Sequence, residues 1–289
     1  MPSGKKARQQ RQAATVAAPP PVRSKGVGGA RARQASPRAL AIAGGVVLIV
    51  VIAVVLGVVL SGGGSGSGSG VVTASDMQGL GTVGNQNNPI ALQGAGEANN
   101  LFKGIPQHGL TLGNPKAPVT MEMFIDVQCP VCLDYEVVHL PGVVNKYIRT
   151  GKVQLHLKPW AFIGSQSVTG RLGVIAAADQ NKGFQYTKVL YDNQPANAEG
   201  TGYLTGSWMA HIAASVTGLK LAQWRHDANG SAAQATAKAV DTLATQKNVQ
   251  GTPTMFIGPT GGKLQLAMPA GKYVPADVEQ ALNAAVAGT

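Results

Sequence analysis

The longest apolar run comes early. Ala39 to Leu60 is 22 consecutive positions without one charged or polar side chain. At about 1.5 Å per residue, a helix of this length crosses a hydrocarbon core of roughly 30 Å. The pattern then breaks. Residues 61–70 are only serine and glycine, which reads as a flexible tether. Residues 71 to about 108 stay rich in Gly, Asn and Gln with little periodicity. They read as mostly irregular, with short structure near Ala98–Lys103, and as adding reach to the tether.

From about Leu110 the pattern becomes regular. Val119–Asp126 is apolar enough for a central strand. After it, Leu133, Val137, Leu140, Val144 and Ile148 recur at spacings of four, three, four and four. That is an apolar helical stripe, in which Pro141 should kink or interrupt the helix. Val153–Lys158 alternates as a second strand. Strand, helix and strand make a β-α-β unit with a parallel pair and a right-handed crossover. Candidate helices follow at Ser167–Asn181, Phe184–Asn193, Ser207–Thr217, Lys220–Asp227 and Ala232–Gln246, separated by Gly and Asn. Thr254–Ile257 reads as a short strand, Lys263–Ala267 as its hairpin partner and Pro275–Ala287 as a closing helix. The expected organisation is a tail at 1–38, a span at 39–60, a linker at 61–109 and one domain at 110–289. That domain carries a helical insertion over about 165–247, and its length is enough for a proper core.

Charge settles the orientation of the span. Residues 1–38 hold nine Lys or Arg and no Asp or Glu. Removing those nine from the chain's 24 basic residues leaves 15 against 13 acidic, so the net charge of +11 belongs mostly to the tail. Such a tail alone could bind nucleic acid, but an apolar span directly after it reads as a positive cytoplasmic flank. It also suits anionic lipid at the inner leaflet. The reading is a single-pass membrane protein, N-terminus inside, with no nucleic-acid partner. A cleaved signal peptide is the rival; its apolar and charged regions are usually far shorter. Val72-Thr73-Ala74 resembles a cleavage site only loosely and lies well past the span. An uncleaved signal anchor is favoured, and no cysteine ends the span to carry a lipid.

The chemistry lies in two residues. Cys129 and Cys132 are the only cysteines, and Cys129-Pro130-Val131-Cys132 sits where the first strand meets its helix. At a helix N-terminus, free N–H groups and the helix dipole lower the pKa of the first cysteine and favour its thiolate. Pro130 falls at the first helical position, where a missing N–H costs nothing. Cys129 then reads as the exposed nucleophile and Cys132 as the resolving thiol of a dithiol/disulfide pair. Half of a zinc site is a poorer reading. Structural zinc needs four ligands, a second C-x-x-C is absent, and His108, His139, His156, His211 and His226 form no H-x₃₋₅-H pair. No metal and no cofactor is expected. A purely structural disulfide explains the pair poorly, because so short a loop restrains the unfolded chain little. Two cysteines confined to one motif also fit an oxidising compartment.

The order β-α-β, helices, β-β-α is an α/β arrangement of thioredoxin type. Gly113-Asn114-Pro115, then Asp126-Val127-Gln128-Cys129-Pro130-Val131-Cys132, then Gly251-Thr252-Pro253-Thr254 resemble the DsbA-like branch of the thioredoxin superfamily over about 110–289. The resemblance implies a cis-proline at Pro253 and a substrate-pairing backbone at Thr252, by strand addition. It also implies oxidation of cysteine pairs in exported proteins, with re-oxidation by a quinone-linked membrane partner of the DsbB or vitamin-K-epoxide-reductase type. One departure stands out. Many relatives carry a partly buried carboxylate six residues before the first cysteine, where this chain has Met123. Glu122 should point to the opposite face by strand alternation, so no buried acid is assigned. Asp126 either lies near the sulfur or caps a turn in solvent. Trp160 reads as core or groove, and His139, His156 and His211 as packing or surface residues. The alternatives are a reductase or isomerase, and a redox-inactive thioredoxin-fold module that binds peptides. Protease added to intact cells stripped of their wall should digest residues beyond about 61 and spare the basic tail. Protection of the C-terminal domain would overturn the orientation.

Overall fold

The computed structural model describes residues 71–268 and 272–289. The span expected at 39–60 and the serine–glycine tether lie outside them. Among the described residues no helix is long and apolar enough to cross a membrane.

The elements in chain order are helix α1 (Ala95–Leu101), strands β1 (Gln107–His108), β2 (Thr111–Leu112) and β3 (Val119–Ile125), helix α2 (130–148) and strand β4 (Val153–Pro159). Helices α3 (Ser165–Asp179), α4 (Gly183–Asp192), α5 (Gly206–Ser215), α6 (Leu221–Ala228) and α7 (Ser231–Gln246) form the insertion. Strands β5 (Thr254–Pro259) and β6 (Gln265–Leu266) and helix α8 (Pro275–Ala287) close the chain. Every expected element of the domain is present within about two residues of its predicted ends, the usual uncertainty of helix boundaries. The sheet order is β1-β2-β4-β3-β5-β6. Strands β3 and β4 are parallel, with Val119 opposite Val153, and β5 runs antiparallel to β3. Flanked on both sides, β3 is buried along almost its whole length, which is why it reads as an apolar run and not as a clean alternation. The β1–β2 hairpin was not expected. It is two residues per strand and turns at Gly109, whose φ is 56°.

Helix α2 departs from the expected geometry in an instructive way. It is continuous through Pro141 but alternates α-helical segments (Pro130–Asp134, Leu140–Val143) with π-helical ones (Tyr135–His139, Val144–Ile148). Wider turns beside the proline accommodate a residue without an N–H. They also raise the average to roughly four residues per turn, so residues four apart stay in line. Cys132, Glu136, Leu140, Val144 and Ile148 are all buried, whereas Val137 of the expected stripe faces solvent.

The linker boundary at 109 needs correction. Val72, Leu80, Ala95, Ala98, Phe102 and Ile105 are buried in the same core as β3 and α4. Phe102 packs against Phe184 with ring centroids 5.9 Å apart, Val83 bridges to Lys220, and Asn229 of the insertion holds Val72 by both backbone groups. These apolar residues fall at irregular intervals between glycines and amides, so periodicity could not reveal them. Phe102→Ala should therefore lower folding stability by about 3–5 kcal/mol, read as a fall in the denaturant midpoint. An unchanged midpoint would remove the 71–105 segment from the folded core.

Candidate active site

The site begins where β3 ends. The Asp126 carboxylate accepts the amide of Gln128 at 2.8 Å, and its carbonyl accepts the amide of Cys129 at 2.9 Å. This tight turn stops the strand and aims the chain into α2. Cys129 is the N-cap: its backbone is extended (φ −73°, ψ 119°), and its Sγ accepts the amide of Cys132 at 3.3 Å. Pro130 occupies the first helical turn. Across a gap from another part of the chain, the Thr252 carbonyl lies 3.3 Å from Cys129 Sγ. The Thr252–Pro253 peptide bond is cis, directly ahead of β5. Two segments more than a hundred residues apart thus meet at one sulfur.

The two thiols differ sharply. The neighbouring Cys132 thiol is the main influence that brings the Cys129 pKa down from 9.0 to about 6. Burial opposes it, and Thr252 and the amides of Cys132 and Val131 add to the lowering. Burial pushes Cys132 well above the usual thiol range, reinforced by the negative charge on Cys129. Cys132 is 0 % exposed and Cys129 only 5 %, so the sulfur expected to be exposed is instead nearly buried. Beside it runs a groove of about 500 Å³, with Val131, Phe162, Thr252, Pro253, Met268 and Tyr273 among its walls. Lysine contributes at its margin through Lys247 and Lys272.

A family model described as "Thioredoxin" matches residues 106–263, more than half of the chain. The chain belongs to the thioredoxin family. Within it the protein is a thiol–disulfide oxidoreductase. Two relatives, from Bacillus anthracis and Bacillus cereus, are each named probable disulfide bond formation protein D. Each is 27 % identical over 150 residues, 51 % of this chain and 68 % of the relative. Among solved structures, oxidised BdbD from Bacillus subtilis superposes with a TM-score of 0.54 at 18 % identity, over 72 % of this chain and 99 % of that one. Wolbachia pipientis alpha-DsbA1 gives 0.53 at 18 % identity, over 66 % and 96 %. At such identities the structures speak for the fold alone.

In this thioredoxin-family oxidoreductase the insertion holds the active-site turn from behind. Tyr191 donates to the carbonyl of Asp126 at 2.8 Å, Tyr203 to that of Val127 at 2.9 Å, and Gln194 to that of Gln128 at 3.0 Å. Three successive carbonyls ahead of Cys129 each receive one side-chain donor. The Asp126 carboxylate also accepts the amides of Phe162 and Ile163 and the Ser167 hydroxyl, at 2.6–2.8 Å. Asp126 is therefore a buried cap and not a solvated one. Sequence reasoning missed Ser167, Tyr191, Gln194 and Tyr203, because nothing local marks a residue that bonds to a turn 41 to 76 positions away.

The acids fall out differently from expectation. Met123 is fully buried and apolar. Glu122 sits on the other face of β3 and pairs with Lys247 at 2.7 Å, as strand alternation implied. A buried acid nevertheless exists. Glu136, one turn beyond Cys132 on α2, is 2 % exposed; four residues after Cys132 and four before Leu140, it lies on the helix face that both of them bury. Trp160 stacks on Phe162 with centroids 5.0 Å apart, and of the two it is Phe162 that lines the groove.

The asymmetry of the thiols is directly measurable. In the reduced chain, alkylation at Cys129 should rise through a midpoint near pH 6, while Cys132 stays unreactive across the neutral range. The sign for stability follows. A thiol held below its ordinary 9.0 stabilises the fold at high pH, and that contribution is lost as pH falls through about 6. A Cys129 midpoint near 9 would contradict the N-cap geometry.

Proposed function

We propose that this protein is a membrane-anchored, extracytoplasmic oxidoreductase that introduces disulfides into exported proteins. A substrate thiolate attacks Cys129 of the oxidised pair, forming a mixed disulfide and releasing Cys132. The second substrate thiolate then displaces Cys129, so the substrate leaves as a disulfide and the enzyme as a dithiol. The two electrons pass on to a quinone-linked membrane partner of the DsbB or vitamin-K-epoxide-reductase type. Thr252 pairs with the extended substrate beside Cys129, and Pro253 shapes the groove. The basic tail and the apolar run at 39–60 support the anchor and the orientation. The names of the Bacillus relatives support disulfide formation as the reaction.

One observation carries the oxidising direction: Cys129 caps the N-terminus of α2 with its Sγ accepting the amide of Cys132 at 3.3 Å, which favours its thiolate. Together with the Cys132 thiol, the main influence, this brings its pKa down to about 6. Stabilising the thiolate stabilises the reduced pair and makes the disulfide a stronger oxidant. Thioredoxin holds its thiol near about 7 and the strongest oxidants near about 3.5, so this site lies between them. Val131 offers the thiolate no charge and no side-chain hydrogen bond, which keeps the pair from the oxidising extreme.

Equilibration with glutathione should place the pair between about −270 and about −120 mV, the values of thioredoxin and of the strongest oxidants. Val131→His should raise the potential and lower the Cys129 pKa together. A wild-type potential at or below that of thioredoxin would promote the reductase alternative, and a pair inert to glutathione the peptide-binding one. Cys132→Ala should trap adducts with exported proteins on non-reducing gels, and Cys129→Ala should trap few; the reverse pattern would exchange the two roles.

A further inference from the structure

A second cavity of about 500 Å³ lies between the N-terminal segment and the helical insertion. It shares no lining residue with the groove beside Cys129. Its walls come from the end of α1, from β1, from the turn between α3 and α4 and from the first turn of α4. Six of its twelve lining residues are carboxamides, two are lysines and none is acidic.

Hydrogen bonding divides these groups into acceptors and donors. Gln185 on α4 is 5 % exposed, and its Oε1 is enclosed without a hydrogen-bond partner. The Oε1 of Gln107 on β1 is enclosed and unpaired as well. A buried oxygen without a donor costs free energy, and here two of them belong to the walls of one cavity. Gln86 and Asn181 are the opposite case. Their oxygens are taken, by the Thr217 hydroxyl at 3.2 Å and by the Gly109 amide at 3.0 Å, so their remaining capacity is in their N–H donors. Lys103 and Lys182 add ammonium donors, and neither forms an ion pair among the described residues. The walls are held from behind: Asn99 accepts the Thr217 amide at 3.2 Å, and Arg149 donates to the Lys103 carbonyl at 2.9 Å.

Each feature removes a class of ligand. Without a carboxylate in the lining, a hard metal ion finds no charged ligand. An apolar molecule would leave the amides unpaired. A nucleotide base finds no face to stack on, because Phe102 is the one aromatic in the lining and is 1 % exposed. An inorganic anion answers the lysines but not the two carbonyl oxygens, which need donors. A sugar supplies those donors. Each hydroxyl both donates and accepts, so two neighbouring hydroxyls meet the C=O and the N–H of one carboxamide together. A carboxylate on the same sugar answers the lysines.

We infer that this cavity binds a sugar acid, a carbohydrate bearing a carboxylate, either free or as a residue of a glycan chain. Its hydroxyls donate to Gln185 and Gln107 and accept from Gln86 and Asn181, and its carboxylate lies toward Lys103 and Lys182. The inference stands independently of the redox reading of the cysteine pair.

The test uses the full-length chain in detergent micelles, labelled with ¹⁵N-glutamine. It is titrated with D-galacturonate, D-galactose, tetragalacturonate and inorganic phosphate while the side-chain amide resonances are followed by NMR. The Gln185 resonance is the one that Q185L removes. Galacturonate should shift it saturably and bind about tenfold or more tightly than galactose, the scale of one charge-assisted contact. Q185L should weaken galacturonate by about tenfold, and K103Q/K182Q should bring its affinity down to that of galactose. Tighter binding of the tetramer than of the monomer supports a glycan chain as the ligand, and equal binding supports a free sugar acid. If Q185L does not fold, Q107L reads the same loss from the other wall. No saturable shift with either uronate overturns the inference. Phosphate or galactose binding as tightly as galacturonate overturns it too, since the lysines or the amides would then be acting alone.

Discussion

The active site hangs on one buried carboxylate. Asp126 is fully enclosed, and an enclosed charge is tolerated only when hydrogen bonds replace its water. Here two amides from the loop after β4, one amide from its own turn and the Ser167 hydroxyl do so. Each such bond to a charged group is worth about 1.5–3 kcal/mol, and leaving a partner unsatisfied costs about 1–3 kcal/mol. The constraint is mutual. The carboxylate needs all four donors, and the donors lie on three segments that must converge for it to be satisfied. Convergence stops β3, starts α2 and sets Cys129 at the helix N-terminus.

From that point the two cysteines diverge for physical reasons. Cys129 stands at the cap, facing the amide of Cys132 and the Thr252 carbonyl, with the groove beside it. Cys132 is three residues further along and rotated into the core, where no solvent reaches it. One helical turn therefore separates a stabilised thiolate from a thiol that resists ionisation. The chemistry of exchange needs this difference: one sulfur to attack and be attacked, another to stay protonated until called upon. Glu136, four residues after Cys132, lies on the same inward face of α2.

The helical insertion is part of this machinery rather than an ornament on the sheet. Its tyrosines and Gln194 occupy the carbonyls of residues 126–128, and the segment from residue 71 packs against it. The active-site turn is thus clamped between sheet and insertion, and the loop at Thr252–Pro253 closes the arrangement from the far side.

The residues alone determined a good deal. The strand-to-helix placement of Cys129-Pro130-Val131-Cys132, the β-α-β unit, the five inserted helices and the closing β-β-α follow from periodicity and punctuation, which are local properties. The likeness of Gly251-Thr252-Pro253-Thr254 to a known motif pointed to a distant partner of Cys129. Three things were settled only by the tertiary structure. Residues 71–105 belong to the core, Asp126 is a four-fold buried cap, and Glu136 is inside while Val137 is outside. The reason is the same in each case. Burial of an irregularly spaced apolar residue, satisfaction of a buried charge and the local pitch of a helix are decided by groups far away in sequence, and no window along the chain contains them.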